Sequence, residues 1–156
     1  MKSRMAEYYM DIAIRTSHLS RAIRKKVGAV VVKDDRIISI GYNGMPSGWD
    51  NECENWVKND GVMFEPEESD RDIYCSPVTK PEVLHAEANA ITKLARSTES
   101  GDNAAIFVTC TPCMECAKLI YQSGISDVYY NEDYLPKKGS GISFLKDCDI
   151  NVEQIK

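Results

Sequence analysis

The clearest pattern of hydrophobic positions lies near the beginning of the chain. Residues 27–32 form a nearly continuous apolar run, which is typical of a buried strand. Asp34 and Asp35 indicate a turn, and residues 36–42 predict a second strand. The sequence therefore predicts a β-hairpin, which is the strongest local prediction in the chain.

Helical spacing of apolar residues occurs before this hairpin and again after residue 84. Residues 4–19 predict a first helix, with Ser3 as its candidate cap. The later pattern predicts a helix over 86–96, a strand over 104–109, a helix from Cys113 that stops at Gly124, a strand over 127–130, a helix near 142–147 and a strand over 150–154. A hairpin followed by alternating helices and strands predicts an α/β fold, with a mixed sheet covered by helices on both faces.

Residues 43–84, called the insertion below, interrupt this regular pattern. They contain Gly44, Pro46 and Gly48, an acidic run near residues 65–72, and only scattered periodicity. A long segment without regular structure in a compact domain usually carries function or moves. We therefore expect a single domain over residues 1–156 with a long irregular insertion at about 43–84.

Composition and charge argue against a membrane-spanning, a broadly nucleic-acid-binding or a secreted protein. Apolar residues make up 43% and charged residues 28%, as in ordinary globular proteins, and no apolar run is long enough to span a membrane. The net charge of −5 argues against a broad surface for binding nucleic acid. Residues 1–20 are charged and amphipathic, unlike a signal peptide, so a cytoplasmic location is expected. Four of the six cysteines are then expected to be reduced thiols: Cys53, Cys75, Cys110 and Cys148.

Candidate chemistry lies in two motifs, each at a predicted helix start. His85 with Glu87, and Cys113 with Cys116 after Pro112, match the His-x-Glu and Pro-Cys-x-x-Cys signature of zinc deaminases. Zinc held by one histidine and two cysteines keeps an open coordination position, as catalytic zinc sites do. Glu87 could then carry protons beside that position, although an acidic residue in a first helical turn is also favoured by the helix dipole.

Three segments resemble deoxycytidylate (dCMP) deaminases. They are Gly-Tyr-Asn-Gly-Met-Pro at 41–46, His-Ala-Glu-Ala-Asn-Ala-Ile at 85–91 and Thr-Pro-Cys-Met-Glu-Cys-Ala-Lys at 111–118. The similarity runs from the first helix to about Tyr134. The zinc motif alone is shared with cytidine, guanine and tRNA adenosine deaminases, whereas the Gly-Tyr-Asn-Gly segment, Asn89-Ala90 and the long insertion favour the dCMP branch.

The resemblance implies a cytidine-deaminase-like three-layer α/β/α sandwich with a mixed five-stranded sheet. It implies a hydrolase that acts on the C–N bond of a cyclic amidine, converting dCMP to dUMP and ammonia and so supplying dUMP for thymidylate synthesis. One catalytic Zn²⁺ is implied per subunit. It further implies a homo-oligomer, most often a hexamer, which dCTP activates and dTTP inhibits through a separate site that uses Mg²⁺.

The resemblance also assigns roles to four residues, each of which has a plain alternative. Asn43 matches an asparagine that contacts the sugar hydroxyl, although Asn-Gly is also a turn signal. Arg24, in the basic segment of residues 20–26, matches a phosphate-binding arginine, although a basic run is often only a solvated connection. Tyr134 matches a tyrosine near the active-site mouth, or is an ordinary exposed or core tyrosine. Arg96 matches an arginine near the effector site, or simply a cation at a helix C-terminus.

The chain departs from the family pattern in its insertion, and the sequence leaves other functions open. Many bacterial members hold a second, structural zinc in the insertion, but no histidine lies between Cys53 and Cys75, so we do not expect one here. His18 is expected to be an ordinary surface or helix histidine. The remaining functions are deamination of free cytidine, guanine or tRNA adenosine, or a non-catalytic zinc-stabilised domain. The acidic balance argues against tRNA, and a non-catalytic domain predicts a closed four-ligand site.

Overall fold

The computed structural model describes residues 3–58, 61–64, 75–134 and 139–156. Within these ranges the elements in chain order are α1 (Ser3–Ser17), β1 (Gly28–Lys33), β2 (Arg36–Tyr42), β3 (Glu54–Lys58), β4 (Met63–Phe64), β5 (Cys75–Thr79), α2 (Ala86–Leu94), β6 (Ala105–Cys110), α3 (Met114–Gln122), β7 (Asp127–Glu132), α4 (Ile142–Asp147) and β8 (Asn151–Gln154). No helix among the described residues combines the length and apolar character needed to cross a membrane. None of the six cysteines, all of which lie in the described ranges, forms a disulfide bond.

The predicted hairpin is confirmed, and its turn has a physical cause. Asp34 and Asp35 both have positive φ, 49° and 56°. Two consecutive residues with positive φ match the twist of a two-residue hairpin turn, and aspartate tolerates this conformation better than most residues. The pairing Lys33↔Arg36 closes the hairpin directly across this turn.

Five strands form one mixed sheet, as expected, in the order β2-β1-β6-β7-β8. β1 runs antiparallel to both β2 and β6, whereas β6, β7 and β8 are parallel to one another. The parallel connections pass through α3 and α4, because parallel strands need a crossover rather than a tight turn.

Two hydrophobic cores lie on opposite faces of this sheet. On one face, Val30, Val32 and Phe107 pack against buried residues of α1. On the other face, Val31 and Ile106 belong to a cluster that includes buried residues of α2, α3 and α4. The central strands are therefore buried on both sides, which explains their continuous apolar runs. The three-layer arrangement agrees with the predicted fold class.

The insertion contains more regular structure than the sequence indicated. β3, β4 and β5 form a separate antiparallel sheet in the order β4-β3-β5. The expectation of an irregular segment is therefore wrong for these strands. They are two to five residues long. In β3 and β5 every residue except Glu54 is half-buried or exposed, and Pro77 lies inside β5, so no hydrophobic alternation marks these strands. The acidic run near residues 65–72 lies outside the described residues.

Close contact between β2 and α2 fixes the position of the zinc motif's first half. A Cβ on Gly41 would lie 2.1 Å from the Ala86 carbonyl oxygen, so only glycine permits this approach. Asn89 Nδ2 donates to the Tyr42 carbonyl at 2.9 Å, and Ser39 Oγ donates to the Ala90 carbonyl at 2.8 Å. These contacts hold the start of α2 against the end of β2.

Candidate active site

Two helix starts bring the three predicted metal ligands together. His85 is the N-cap residue of α2 and Cys113 is the N-cap residue of α3, both with extended backbone. His85 Nδ1 lies 3.5 Å from Cys113 Sγ and 3.4 Å from Cys116 Sγ. The three potential ligand atoms all lie within 4.8 Å of one another.

This cluster fits a zinc ion. Bonds of about 2.0 Å to nitrogen and about 2.3 Å to sulfur, at tetrahedral angles, place the nitrogen and sulfur atoms about 3.5 Å apart. The nitrogen–sulfur distances of 3.4 and 3.5 Å are close to that value. Among the described residues, the cluster contains three side chains, which is the ligand count of a catalytic site with an open position.

The two thiols are chemically different before any metal binds. The hydrogen bond that Cys116 donates lowers the pKa of Cys113 to about 3, and the neighbouring His85 acts in the same direction. The same hydrogen bond, together with burial, raises the pKa of Cys116. These shifts favour the thiolate at Cys113, and a metal ion that takes both sulfur atoms as ligands displaces the proton of Cys116.

Glu87 lies in the first turn of α2, two residues after His85, and is only 3% exposed. Burial raises the pKa of its carboxyl group above the ordinary value, while a hydrogen bond from its own backbone N–H and the neighbouring His85 oppose that rise. A carboxyl group with a raised pKa takes up and releases a proton more readily near neutral pH than an exposed one does.

A cavity of about 510 Å³ opens over this cluster. Its lining includes His85, Glu87 and Cys113, and also the predicted substrate residues Arg24, Asn43 and Tyr134. Its volume lies in the range of about 300–1,000 Å³ that is usual for small-molecule sites. One cavity therefore joins the metal ligands, the buried carboxyl group and a guanidinium group.

Residues 3–132 match the family model described as the cytidine and deoxycytidylate deaminase zinc-binding region. The chain belongs to this family. The match covers the first helix, the hairpin, the insertion and both halves of the zinc motif.

Individual relatives agree with this assignment. The deoxycytidylate deaminase of Enterobacteria phage T2 is 35% identical over 170 residues, which cover 94% of this chain and 90% of that protein. The deoxycytidylate deaminase of Mycobacterium phage D29 is 40% identical over 128 residues, covering 81% and 94%. The crystal structure of dCMP deaminase from cyanophage S-TIM5, in complex with dCMP and dUMP, is 39% identical, covers 99% of both chains and has a TM-score of 0.80. The resemblance to dCMP deaminases and the expected fold are both confirmed.

The side-chain amide of Asn43 joins the end of β2 to the basic segment. Its Nδ2 donates to the Lys25 carbonyl at 2.8 Å, and its Oδ1 accepts from the Val27 backbone at 2.8 Å. These bonds give Asn43 a structural role at the end of β2, in line with the alternative that the Asn-Gly pair forms a turn. An amide can make four hydrogen bonds, so these two leave one N–H and one lone pair of Asn43 for a ligand, and the residue lines the cavity.

Arg24 is exposed at the cavity, and its Nη1 donates to Thr79 Oγ1 of β5 at 3.1 Å. The neighbouring Lys25 forms an ion pair with Glu132 and lies 4.8 Å from the centre of the Tyr134 ring. Tyr134 is 39% exposed, and its backbone N–H donates to Thr111 Oγ1 at 3.1 Å. The basic segment therefore places cationic groups at the cavity rather than only in solvent.

Several cavity residues were not singled out from the sequence. Lys25 lies in the basic run and could have been included there. Glu54, Thr79 and Lys80 come from the insertion, whose pattern carried no signal. Thr111 belongs to the second motif, but its contact with Tyr134 joins residues 23 positions apart.

Arg96, His18 and the insertion cysteines lie away from this cluster. Arg96 is exposed beyond the end of α2, about 16 Å from His85 along a helix with a rise of 1.5 Å per residue. His18 is exposed just after α1, as expected. Cys75 pairs with Lys58 while Cys53 precedes Glu54, so the two cysteines lie about 17 Å apart along β3. They cannot ligate one metal ion.

Proposed function

We propose that the protein hydrolyses dCMP to dUMP and ammonia. One observation carries this proposal: His85 and Cys113 of the three-residue cluster line the same cavity as the buried Glu87 and the exposed Arg24. The family match and the cyanophage relative, whose structure holds dCMP and dUMP, support the same substrate.

The metal ligands and Glu87 have different roles in the proposed reaction. Zinc bound by the cluster would lower the pKa of water from about 15.7 to about 7 and so supply a nucleophile at neutral pH. Glu87 takes one proton from the attacking water and delivers it to N3 of the cytosine. It then takes the second proton from the hydroxyl group newly bonded to C4 and delivers it to the amine, so that the C4–N bond breaks and ammonia leaves. Its burial suits this work, because the raised pKa lets the carboxyl group hold the proton between the two transfers.

Recognition of the rest of the nucleotide is assigned to the other cavity residues. Asn43 contacts the sugar hydroxyl through the hydrogen-bonding capacity that its structural bonds leave available. Arg24 binds the 5′-phosphate, since a guanidinium group offers paired donors to phosphate oxygens. Tyr134 covers the cavity mouth near Lys25.

The proposal also covers regulation by nucleotides, the oligomeric state and the cellular location. We propose activation by dCTP and inhibition by dTTP with Mg²⁺ at a separate site that includes Arg96, and assembly as a hexamer. These features rest on the family resemblance, and the distance of Arg96 from His85 agrees with a separate site. A cytoplasmic location is also proposed, and the lack of a disulfide among the six cysteines supports it.

A panel of substrates tests the proposal. Purified protein is assayed for ammonia release from dCMP, dCTP, cytidine and tRNA, each with and without dTTP. We expect dCMP to react and tRNA not to react. Reaction of cytidine or tRNA alone would contradict the substrate assignment. Lack of response to dTTP would remove the regulatory part and leave the chemistry standing.

A further inference from the structure

A buried carboxylate of the insertion holds the basic segment that carries Arg24. Glu54 begins β3 and is only 7% exposed. Its Oε1 accepts hydrogen bonds from the backbone N–H groups of Ile23 at 3.0 Å and of Arg24 at 3.3 Å. Because charge-assisted hydrogen bonds to a buried carboxylate are strong, this contact fixes the backbone at Arg24 against β3.

Thr79 holds the other end of the same arginine. Glu54 and Thr79 are directly paired in the β3–β5 ladder. Thr79 Oγ1 accepts from Arg24 Nη1 at 3.1 Å. One cross-strand pair of the insertion sheet therefore accepts hydrogen bonds from both the backbone and the guanidinium group of Arg24.

This arrangement matters for an exposed arginine. A long side chain that is free in solution loses rotamer freedom when it binds a ligand, and holding it in place beforehand reduces that cost. Glu54, Thr79 and Arg24 all line the cavity. A carboxylate near a phosphate site repels the phosphate, which disfavours Glu54 at this cavity. The hydrogen bonds that Glu54 accepts from the backbone of Ile23 and Arg24 explain why it is there.

We propose that Glu54 and Thr79 are positioning residues that fix Arg24 for the 5′-phosphate. The insertion sheet thereby sets the preference for a nucleotide over a nucleoside. This inference rests on the proposed function, because it assumes that the substrate carries a phosphate.

Kinetics with two substrates test the inference. Glu54→Gln and Thr79→Val are compared with wild type on dCMP and on deoxycytidine, which lacks the phosphate. We expect KM for dCMP to rise about tenfold in each variant with kcat nearly unchanged, because only binding of the phosphate is weakened. The kcat/KM for deoxycytidine stays at the wild-type value. The matched controls Glu52→Gln and Ser76→Ala alter exposed residues beside Glu54 and on β5, and they keep wild-type kinetics on both substrates.

A double variant shows whether Glu54 acts through Arg24. If it does, Arg24→Gln combined with Glu54→Gln raises KM for dCMP no further than Arg24→Gln alone. Two independent increases that multiply would overturn the proposal.

Other outcomes separate positioning from a purely structural role. If Glu54→Gln lowers kcat/KM equally on both substrates, Glu54 merely stabilises the fold and the inference is wrong. Thr79→Val removes the hydrogen bond that Thr79 accepts from the Arg24 guanidinium group. Because Thr79 is exposed, this variant tests the positioning of Arg24 without disturbing a buried charge. Tighter binding of dCMP by Glu54→Gln would also overturn the inference. If wild type shows no preference for dCMP over deoxycytidine, the proposed function itself fails; if that preference survives in both variants, only the positioning claim fails.

Discussion

Replacing Gly41 with alanine tests how β2 positions the catalytic helix. The new Cβ would lie 2.1 Å from the Ala86 carbonyl oxygen and 2.5 Å from the Ala90 nitrogen. Ordinary contacts begin at 3.4 Å, so α2 and β2 must separate by about 1.3 Å. Overpacking of this kind costs about 1–3 kcal/mol of stability. His85 and Glu87 move with α2, and a misplacement of about 1 Å costs on the order of 100-fold in rate.

The assay compares the free energy of unfolding in urea, the zinc content by elemental analysis and the rate of dCMP deamination. We expect Gly41→Ala to remain folded, to bind less zinc and to lose about 100-fold in kcat/KM. Gly44→Ala is the matched control, because its Cβ would meet its nearest neighbour, the Tyr42 ring, at 3.8 Å, an ordinary contact. Wild-type stability and activity in Gly41→Ala would refute the argument that close approach at Gly41 positions α2.

Three further variants test the assignments within the site. Glu87→Gln should keep zinc and fold while kcat falls by at least about 100-fold, and undiminished ammonia release from dCMP would contradict its role as proton carrier. Cys113→Ala should lose zinc, as measured by elemental analysis, because two remaining ligands hold the ion poorly; full zinc occupancy would contradict the ligand assignment. Asn43→Ala should lower the free energy of unfolding by about 1–3 kcal/mol and also raise KM, because its amide holds Lys25 and Val27; unchanged urea unfolding would refute the structural role.

The sequence predicted those parts of the fold whose patterns are local. The bounds of β2 and α4 agree with the prediction, and the turn at Asp34 and Asp35 was recognised from residue type alone. The metal cluster could be predicted because each half lies within four consecutive residues. The sequence placed both motifs at helix starts, and in the structure His85 and Cys113 are the N-cap residues of α2 and α3.

What the sequence did not predict depends on contacts between distant residues. The bond from the Arg24 backbone to Glu54 joins residues 30 positions apart, and that from Arg24 to Thr79 joins residues 55 positions apart. β3, β4 and β5 are stabilised by pairing with one another rather than by alternating apolar residues, so periodicity could not reveal them. The role proposed for Arg24 came from family resemblance, whereas its hydrogen bonds with Glu54 and Thr79 became visible only in three dimensions.

The bonds of Asn43 to Lys25 and Val27 have a consequence for redesigning the cavity. Because Asn43 both lines the cavity and holds the backbone of Lys25 and Val27, it is a poor target for redesign: each replacement also loosens the neighbouring backbone. Tyr134 is the better first target for a library, since its side chain is exposed and its backbone is anchored separately by Thr111. Variation there can explore new ligands while the architecture beneath stays intact.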